Sequence, residues 1–156
     1  MTQQCEKFGV ERASDVINEA HLEGDIKVLK SAKAEYQAKT VIIATGAFAR
    51  PIGCKGEGQF RGKGVSYCAT CDGAFFRDKV TAVVGGGNVA LEDALFLSRM
   101  CKKVYLIHRR DEFRGAKILQ DEVKKNDKIE ILWNTIVTKI DGDEVVEGLH
   151  IQDVDN

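Results

Sequence analysis

A strand of the buried type, Lys79-Val80-Thr81-Ala82-Val83-Val84, runs directly into Gly85-Gly86-Gly87-Asn88-Val89-Ala90 and then into a helical stretch ending near Met100. This GxGxxA turn constrains the fold more than any other feature, because it joins a strand to a helix through backbone that only small residues permit. Gly85 allows the tight exit, Gly87 lets a pyrophosphate approach the main chain, and Ala90 keeps the helix close to the sheet. The uncapped N–H groups at such a helix start suit phosphate oxygens. Dinucleotide binding is the expected use, and a non-binding turn the alternative.

The neighbouring patterns extend this unit. Val104-Tyr105-Leu106-Ile107-His108 reads as a second buried strand, Lys117 to Lys125 as a helix stopping near Asn126-Asp127, and Ile129-Glu130-Ile131-Leu132 as a third strand. The alternation predicts a doubly wound α/β sheet with a Rossmann-like nucleotide-binding domain. Three strands make a thin sheet, so an open edge is expected. Ile136 to Ile140 and Val145 to Ile151, around Asp141-Gly142-Asp143, predict an antiparallel hairpin.

Upstream, residues 1 to about 8 suit the end of a helix, and Val10 to Leu22 leans toward strand. Ile26 to Ser31 and Glu35 to Lys39 read as short antiparallel strands, and Thr40 to Gly46 as a strand buried on both faces. Ala47 to Val65 holds the only proline, Pro51, and five glycines, so it reads as a connector and a plausible domain boundary.

An NAD site usually places Asp or Glu about 20 residues past the glycines. Here that position offers His108-Arg109-Arg110, with Arg114 following. Guanidinium forks suit the 2'-phosphate of NADPH, which a carboxylate would repel. NADPH is therefore expected over NADH, the alternative being a solvated cluster balanced by Asp111 and Glu112.

Cys68-Ala69-Thr70-Cys71, followed by Asp72-Gly73, lies just upstream of the turn. A two-residue gap lets two thiols form a redox-active disulfide. The same pair could be half of a zinc site, but no second pair at matching spacing exists, so no metal is expected. Asp72 could relay a proton during thiol exchange, or simply be a solvated turn residue. Cys5, Cys54 and Cys101 are scattered, unlike a secreted disulfide framework, and read as inert thiols in a cytoplasmic protein. A net charge of -1 gives no drive toward nucleic acid or an anionic membrane, and no apolar run approaches the roughly 20 residues of a membrane span.

A nicotinamide delivers a hydride and a disulfide accepts two electrons, so a flavin between them would complete the route. The sequence has no second glycine fingerprint to hold one.

Several segments together resemble the low-molecular-weight, bacterial-type thioredoxin reductases. They are Thr45-Gly46, Gly64-Val65-Ser66-Tyr67-Cys68-Ala69-Thr70-Cys71-Asp72-Gly73, Val83-Val84-Gly85-Gly86-Gly87-Asn88, and His108-Arg109-Arg110-Asp111-Glu112-Phe113-Arg114. The flavoprotein reductases of peroxiredoxin systems are similar, but usually carry Pro-His between the cysteines. The resemblance implies that NADPH reduces FAD, FAD reduces the Cys68-Cys71 disulfide, and the dithiol reduces thioredoxin or a similar small dithiol protein. In such relatives the two nucleotide domains rotate against each other and the protein is a homodimer. Asp72 is the implied acid; which cysteine faces the flavin is left open. Gly85, Gly87, Asn88, Glu92, His108, Arg109, Arg110 and Arg114 match nucleotide-site positions, and Val89 replaces the usual Thr or Ser.

The resemblance further implies a central portion of such a reductase, an incomplete FAD/NAD(P)-binding fold. Residues 1–63 would be a partial FAD-binding domain, with Thr45 and Gly46 on the flavin side. Residues 64–156 would be an incomplete NADPH-binding domain carrying the CxxC. The isolated chain is then expected to bind NADPH weakly without turning over. The competing readings are a nucleotide-binding module without thiol chemistry and a scaffolding fragment that binds no nucleotide.

Overall fold

The computed structural model describes residues 2–154. The chain divides into two compact units, Met1–Ala47 and Phe48–Asn156.

The first unit contains a short helix, α1 (Thr2–Lys7), and an antiparallel meander of β1 (Ile17–His21), β2 (Lys27–Ser31) and β3 (Glu35–Ala38). The last two fulfil the strand expectation, and the weaker one upstream contracts to β1. Asp15 fastens the sheet: its carboxylate accepts from Ser31 Oγ at 2.5 Å, Tyr36 Oη at 2.9 Å and Val16 N at 2.9 Å.

Thr40 to Gly46 corrects the sequence reading. The segment forms no strand, and Ile42 is 91% exposed. A β-branched run favours extended backbone, but burial on both faces also requires neighbouring strands and layers. No strand among the described residues pairs with this one.

The second unit carries the doubly wound arrangement. β4 (Val80–Val84), α3 (Asn88–Ser98), β5 (Lys103–Ile107), α4 (Lys117–Lys125) and β6 (Ile129–Leu132) follow in the expected order. The three strands pair in parallel as β4-β5-β6, in a continuous register from Val80↔Lys103 to Ile107↔Leu132. β5 is central, and its side chains alternate between two cores. Val104 and Leu106 meet Leu91, Ala94 and Leu97 of α3 and Val123 of α4, while Ile107 packs with Phe60, Val137 and Ile140. Among the described residues β4 has no outer neighbour, so the sheet keeps the expected open edge, and on one face of β4 Val80 and Val84 are exposed.

The second core is closed by the hairpin β7 (Thr135–Gly142) and β8 (Val146–Asp153), turning near the expected Asp-Gly. The glycine-rich connector is packed on this hairpin. Lys55 bridges to Lys139, Ile140 N donates to Lys55 O at 2.8 Å, and Val146 N donates to Lys63 O at 3.0 Å. Gly56, at φ +90°, lies so close to the Ile140 carbonyl that a Cβ would strike it. Inside the connector, buried Glu57 accepts from Ile52 N at 3.0 Å, Gly53 N at 2.7 Å and Tyr67 Oη at 2.8 Å. Burial pushes this carboxyl upward, but the three hydrogen bonds outweigh it and hold its pKa below the ordinary 4.5.

Candidate functional site: a disulfide on the nucleotide helix

The glycine turn forms where β4 gives way to α3, and its three glycines face three different constraints. Gly85 sits at φ +150° with its missing Cβ directed at Ala90. Gly86 lies flat against the His108 ring, and its carbonyl accepts from Arg114 N at 2.8 Å and Gly115 N at 3.1 Å. Gly87 is the N-cap of α3, makes no side-chain cap, and has open space where a Cβ would stand. That opening is what a pyrophosphate on the helix N-terminus requires. Asn88 Oδ1 accepts from Ala116 N at 2.8 Å, so the helix start and the arginine loop are tied twice.

His108 is 6% exposed, between the glycine turn and the rings of Phe113 (5.7 Å) and Trp133 (6.2 Å). Its Nε2 is buried without a hydrogen-bond partner. Burial lowers its pKa below the ordinary 6.5; a hydrogen bond with the Glu112 backbone opposes this, and the charges of Arg110, Arg114 and Arg109 reinforce it. The ring is thus kept neutral as a wedge behind the turn. Arg109, Arg110 and Arg114 are exposed, and among the described residues no carboxylate forms an ion pair with them. Val89 and Glu92 face outward on α3. The chain's own residues fit a phosphorylated dinucleotide: an open glycine, an uncapped helix start and unpaired guanidinium groups.

The dithiol lies against the same helix. Cys68 and Cys71 are joined in a disulfide with Cα atoms 5.3 Å apart, at the ends of the first turn of α2 (Ala69–Asp72). Cys68 is the N-cap: its Sγ accepts from Cys71 N at 3.2 Å and lies 3.4 Å from Thr70 Oγ1. Cys68 is half-buried and Cys71 exposed. A 3₁₀ turn, Gly73–Phe76, follows, and at Gly73 a Cβ would stand 3.0 Å from Phe96, 3.3 Å from Leu97 and 3.3 Å from the Met100 sulfur. Glycine there lets the dithiol turn seat closely on α3. Asp93 of α3 faces the Ala69 backbone, whose N–H favours its charged form, but burial, helped by the charge of Glu92, outweighs this and raises its pKa above 3.8. Asn88 and Asp93 are five residues apart, roughly 7.5 Å along the axis. One helix therefore has an open, uncapped N-terminus at one end and a disulfide seated on its flank.

Asp72 ends α2, half-buried, and Ser66 Oγ donates to its Oδ2 at 2.5 Å. Thr45 and Gly46 belong to the other unit and are exposed on its unpaired segment. Among the described residues no group of three or more His, Cys, Asp or Glu is placed to hold a metal. No helix there is long and apolar enough to cross a membrane.

Sequence reasoning missed Ser66, Asp93, Gly86 and the Glu57–Tyr67 pair. Ser66 carried a readable signal, since a serine commonly makes side-chain-to-backbone turns to the residue two further on, here the N-cap Cys68. Asp93 carried none, because its partner is a backbone N–H distant in sequence.

A glycine-turn α/β unit with a CxxC disulfide seated on the helix that the turn opens defines the class of nucleotide-linked disulfide oxidoreductases. The chain belongs to the pyridine nucleotide-disulphide oxidoreductase family, whose profile matches residues 1–156. Its likeness to the bacterial-type thioredoxin reductases is borne out. It is 50% identical over 148 residues to a thioredoxin reductase of Peptoclostridium acidaminophilum, covering 95% of this chain and 47% of that protein. The crystal structure of Lactococcus lactis thioredoxin reductase superposes with a TM-score of 0.72 at 39% identity, over 96% of this chain and 50% of that one. Thioredoxin reductase from Giardia duodenalis gives 0.82 at 35% identity, over 98% and 50%. The chain spans about half the length of the relatives it matches.

Proposed function

We propose that this chain carries the nicotinamide-and-dithiol portion of a thioredoxin-disulfide reductase. The observation that supports this most is the Cys68–Cys71 disulfide seated on α3, the helix that the glycine turn opens. NADPH, when bound, supplies a hydride. Gly87 and the first turn of α3 would hold its pyrophosphate, and Arg109, Arg110 and Arg114 its 2'-phosphate. Neutral His108 fixes the turn from behind. A flavin fits less well: the chain has one glycine turn of this kind, and Thr45 and Gly46 stand on an exposed, unpaired segment.

In this reading residues 1–63 belong to the flavin side and 64–156 to the nicotinamide side. At the dithiol, the Cys71 N–H and Thr70 hydroxyl at Cys68 Sγ favour a thiolate there once the pair is reduced. Asp72 carries the proton that a thiol loses and a departing sulfur regains. The partner is thioredoxin or a similar small disulfide protein. Three free thiols, Cys5, Cys54 and Cys101, suit a reducing, cytoplasmic setting.

The test is stoichiometric. The chain, reduced with dithiothreitol and desalted, should pass one pair of electrons to oxidised thioredoxin, and Cys68→Ser should pass none. NADPH alone should leave the disulfide of the isolated chain intact. Equal transfer by Cys68→Ser would refute the dithiol's role, and reduction by NADPH alone would refute the need for a flavin.

A further inference from the structure

Thiol–disulfide exchange needs the proton-carrying carboxyl held at one place while its charge changes, and one side chain is built to do this. Ser66 Oγ lies 2.5 Å from Asp72 Oδ2 and 3.3 Å from Cys68 O, and it accepts from Cys68 N at 3.1 Å. A serine hydroxyl has one proton to give and two lone pairs. With Asp72 ionised, that proton goes to the carboxylate, the nearer acceptor, while Cys68 N–H occupies a lone pair. With Asp72 protonated, the roles reverse: the acid donates to Ser66 Oγ, and the serine proton turns to Cys68 O. The hydroxyl thus ties the acid to the main chain of the reacting cysteine in either state. The main chain is tied as well, with Asp72 N and Cys71 N each donating to Cys68 O at 3.2 Å, but among the described side-chain hydrogen bonds of the loop 64–72 only the Ser66 hydroxyl joins the Asp72 carboxyl itself to Cys68.

We propose that Ser66 is a positioning residue for Asp72 in exchange at Cys68–Cys71; this rests on the reading of Asp72 as proton carrier. In the reduced protein one thiol gives its proton to the Asp72 carboxylate, and the thiolate attacks one sulfur of the substrate disulfide. A mixed disulfide forms, and the substrate's other sulfur leaves and takes a proton back from Asp72. The second cysteine then attacks the mixed disulfide, re-forming Cys68–Cys71 and releasing the second substrate thiol with the remaining proton. Two electrons move from the dithiol to the substrate, and two thiol protons end on two substrate thiols. Ser66 enters none of these bonds. It keeps the Asp72 oxygen within reach through both proton transfers.

The experiment uses the chain reduced with dithiothreitol and desalted, mixed with oxidised glutathione or with an aromatic disulfide whose leaving thiolate needs no proton. Single-turnover rates are followed by thiol release. Ser66→Ala should slow exchange with oxidised glutathione about tenfold, part of the roughly hundredfold or more that a placed acid–base group contributes, and slow the aromatic reaction, which needs only the transfer from thiol to Asp72, by about threefold. Ser66→Thr, which keeps the hydroxyl, should restore the rate. In an Asp72→Asn background Ser66→Ala should add nothing. Equal slowing with both disulfides, or a full effect in the Asp72→Asn background, makes Ser66 a purely structural residue and overturns the proposal. If Asp72→Asn slows exchange but Ser66→Ala does not, the Ser66 role alone falls. If Asp72→Asn has no effect, the proton-carrier reading falls and takes the Ser66 role with it.

Discussion

Replacing Gly86 with alanine would drive a methyl group into the His108 ring, 2.6 Å from both ring nitrogens and nearer still to Cε1. That is about 1 Å inside van der Waals contact. The imidazole has little room to retreat. Phe113 and Trp133 stand behind it, and the His108 backbone is pinned by bonds from its N to Leu132 O at 2.9 Å and from Thr135 N to its O at 3.0 Å. Overpacking of this kind costs about 1–3 kcal/mol. Taking the middle, about 2 kcal/mol in a unit of this size lowers Tm by about 8 °C. Because the Gly86 carbonyl also holds Arg114 N and Gly115 N, NADPH affinity should fall with it. Thermal unfolding by circular dichroism reads the first effect. A double-mutant cycle identifies the cause: with His108→Ala present, Gly86→Ala should cost no further stability. If Gly86→Ala is as destabilising without the imidazole as with it, the clash is not its origin.

Gly87→Ala should behave oppositely, since nothing lies within 4 Å of a Cβ there and φ is an ordinary -96°. Its Tm should match the parent's while calorimetric NADPH affinity falls at least about tenfold, the methyl occupying the place of the pyrophosphate. His108 makes stability depend on pH in a stated direction. Its folded pKa lies below 6.5, so the unfolded chain binds the proton first; its contribution is intact above 6.5 and declines as pH falls from there toward the folded pKa. Denaturant unfolding between pH 7.5 and 5.5, values chosen to span about a unit either side of a free imidazole, should show that slope, and His108→Leu should flatten it. Glu57→Gln should loosen the connector by about 1–3 kcal/mol, because it weakens a buried acceptor of three hydrogen bonds. Hydrogen exchange at Ile52 and Gly53 would report the loss.

The parallel unit was legible because local signals and tertiary context agree there. Val104 to Ile107 is apolar on both faces and is in fact covered on both, and Lys117 to Lys125 begins and ends where its pattern does. Thr40 to Gly46 shows the limit. Its composition describes an environment of neighbouring strands that the described residues do not supply, so Ile42 stands in solvent. The connector was legible as glycine-rich but not as packed, because what fixes it is a buried glutamate and a close approach at Gly56, neither periodic in sequence. The two halves of the site could be named separately from their motifs. Their union on α3 could not, since it depends on Gly73 fitting beneath Phe96 and on Asp93 reaching Ala69.

The most direct measurement is a pair of calorimetric titrations of the oxidised chain, with NADPH and with NADH, repeated on Arg110→Ala. If α3 and the unpaired arginines form the site, NADPH should bind at least about tenfold more tightly than NADH, as charge-assisted contacts to a 2'-phosphate require, and Arg110→Ala should erode that preference while leaving NADH unchanged. Equal affinities for the two nucleotides, or binding of neither, would contradict the account.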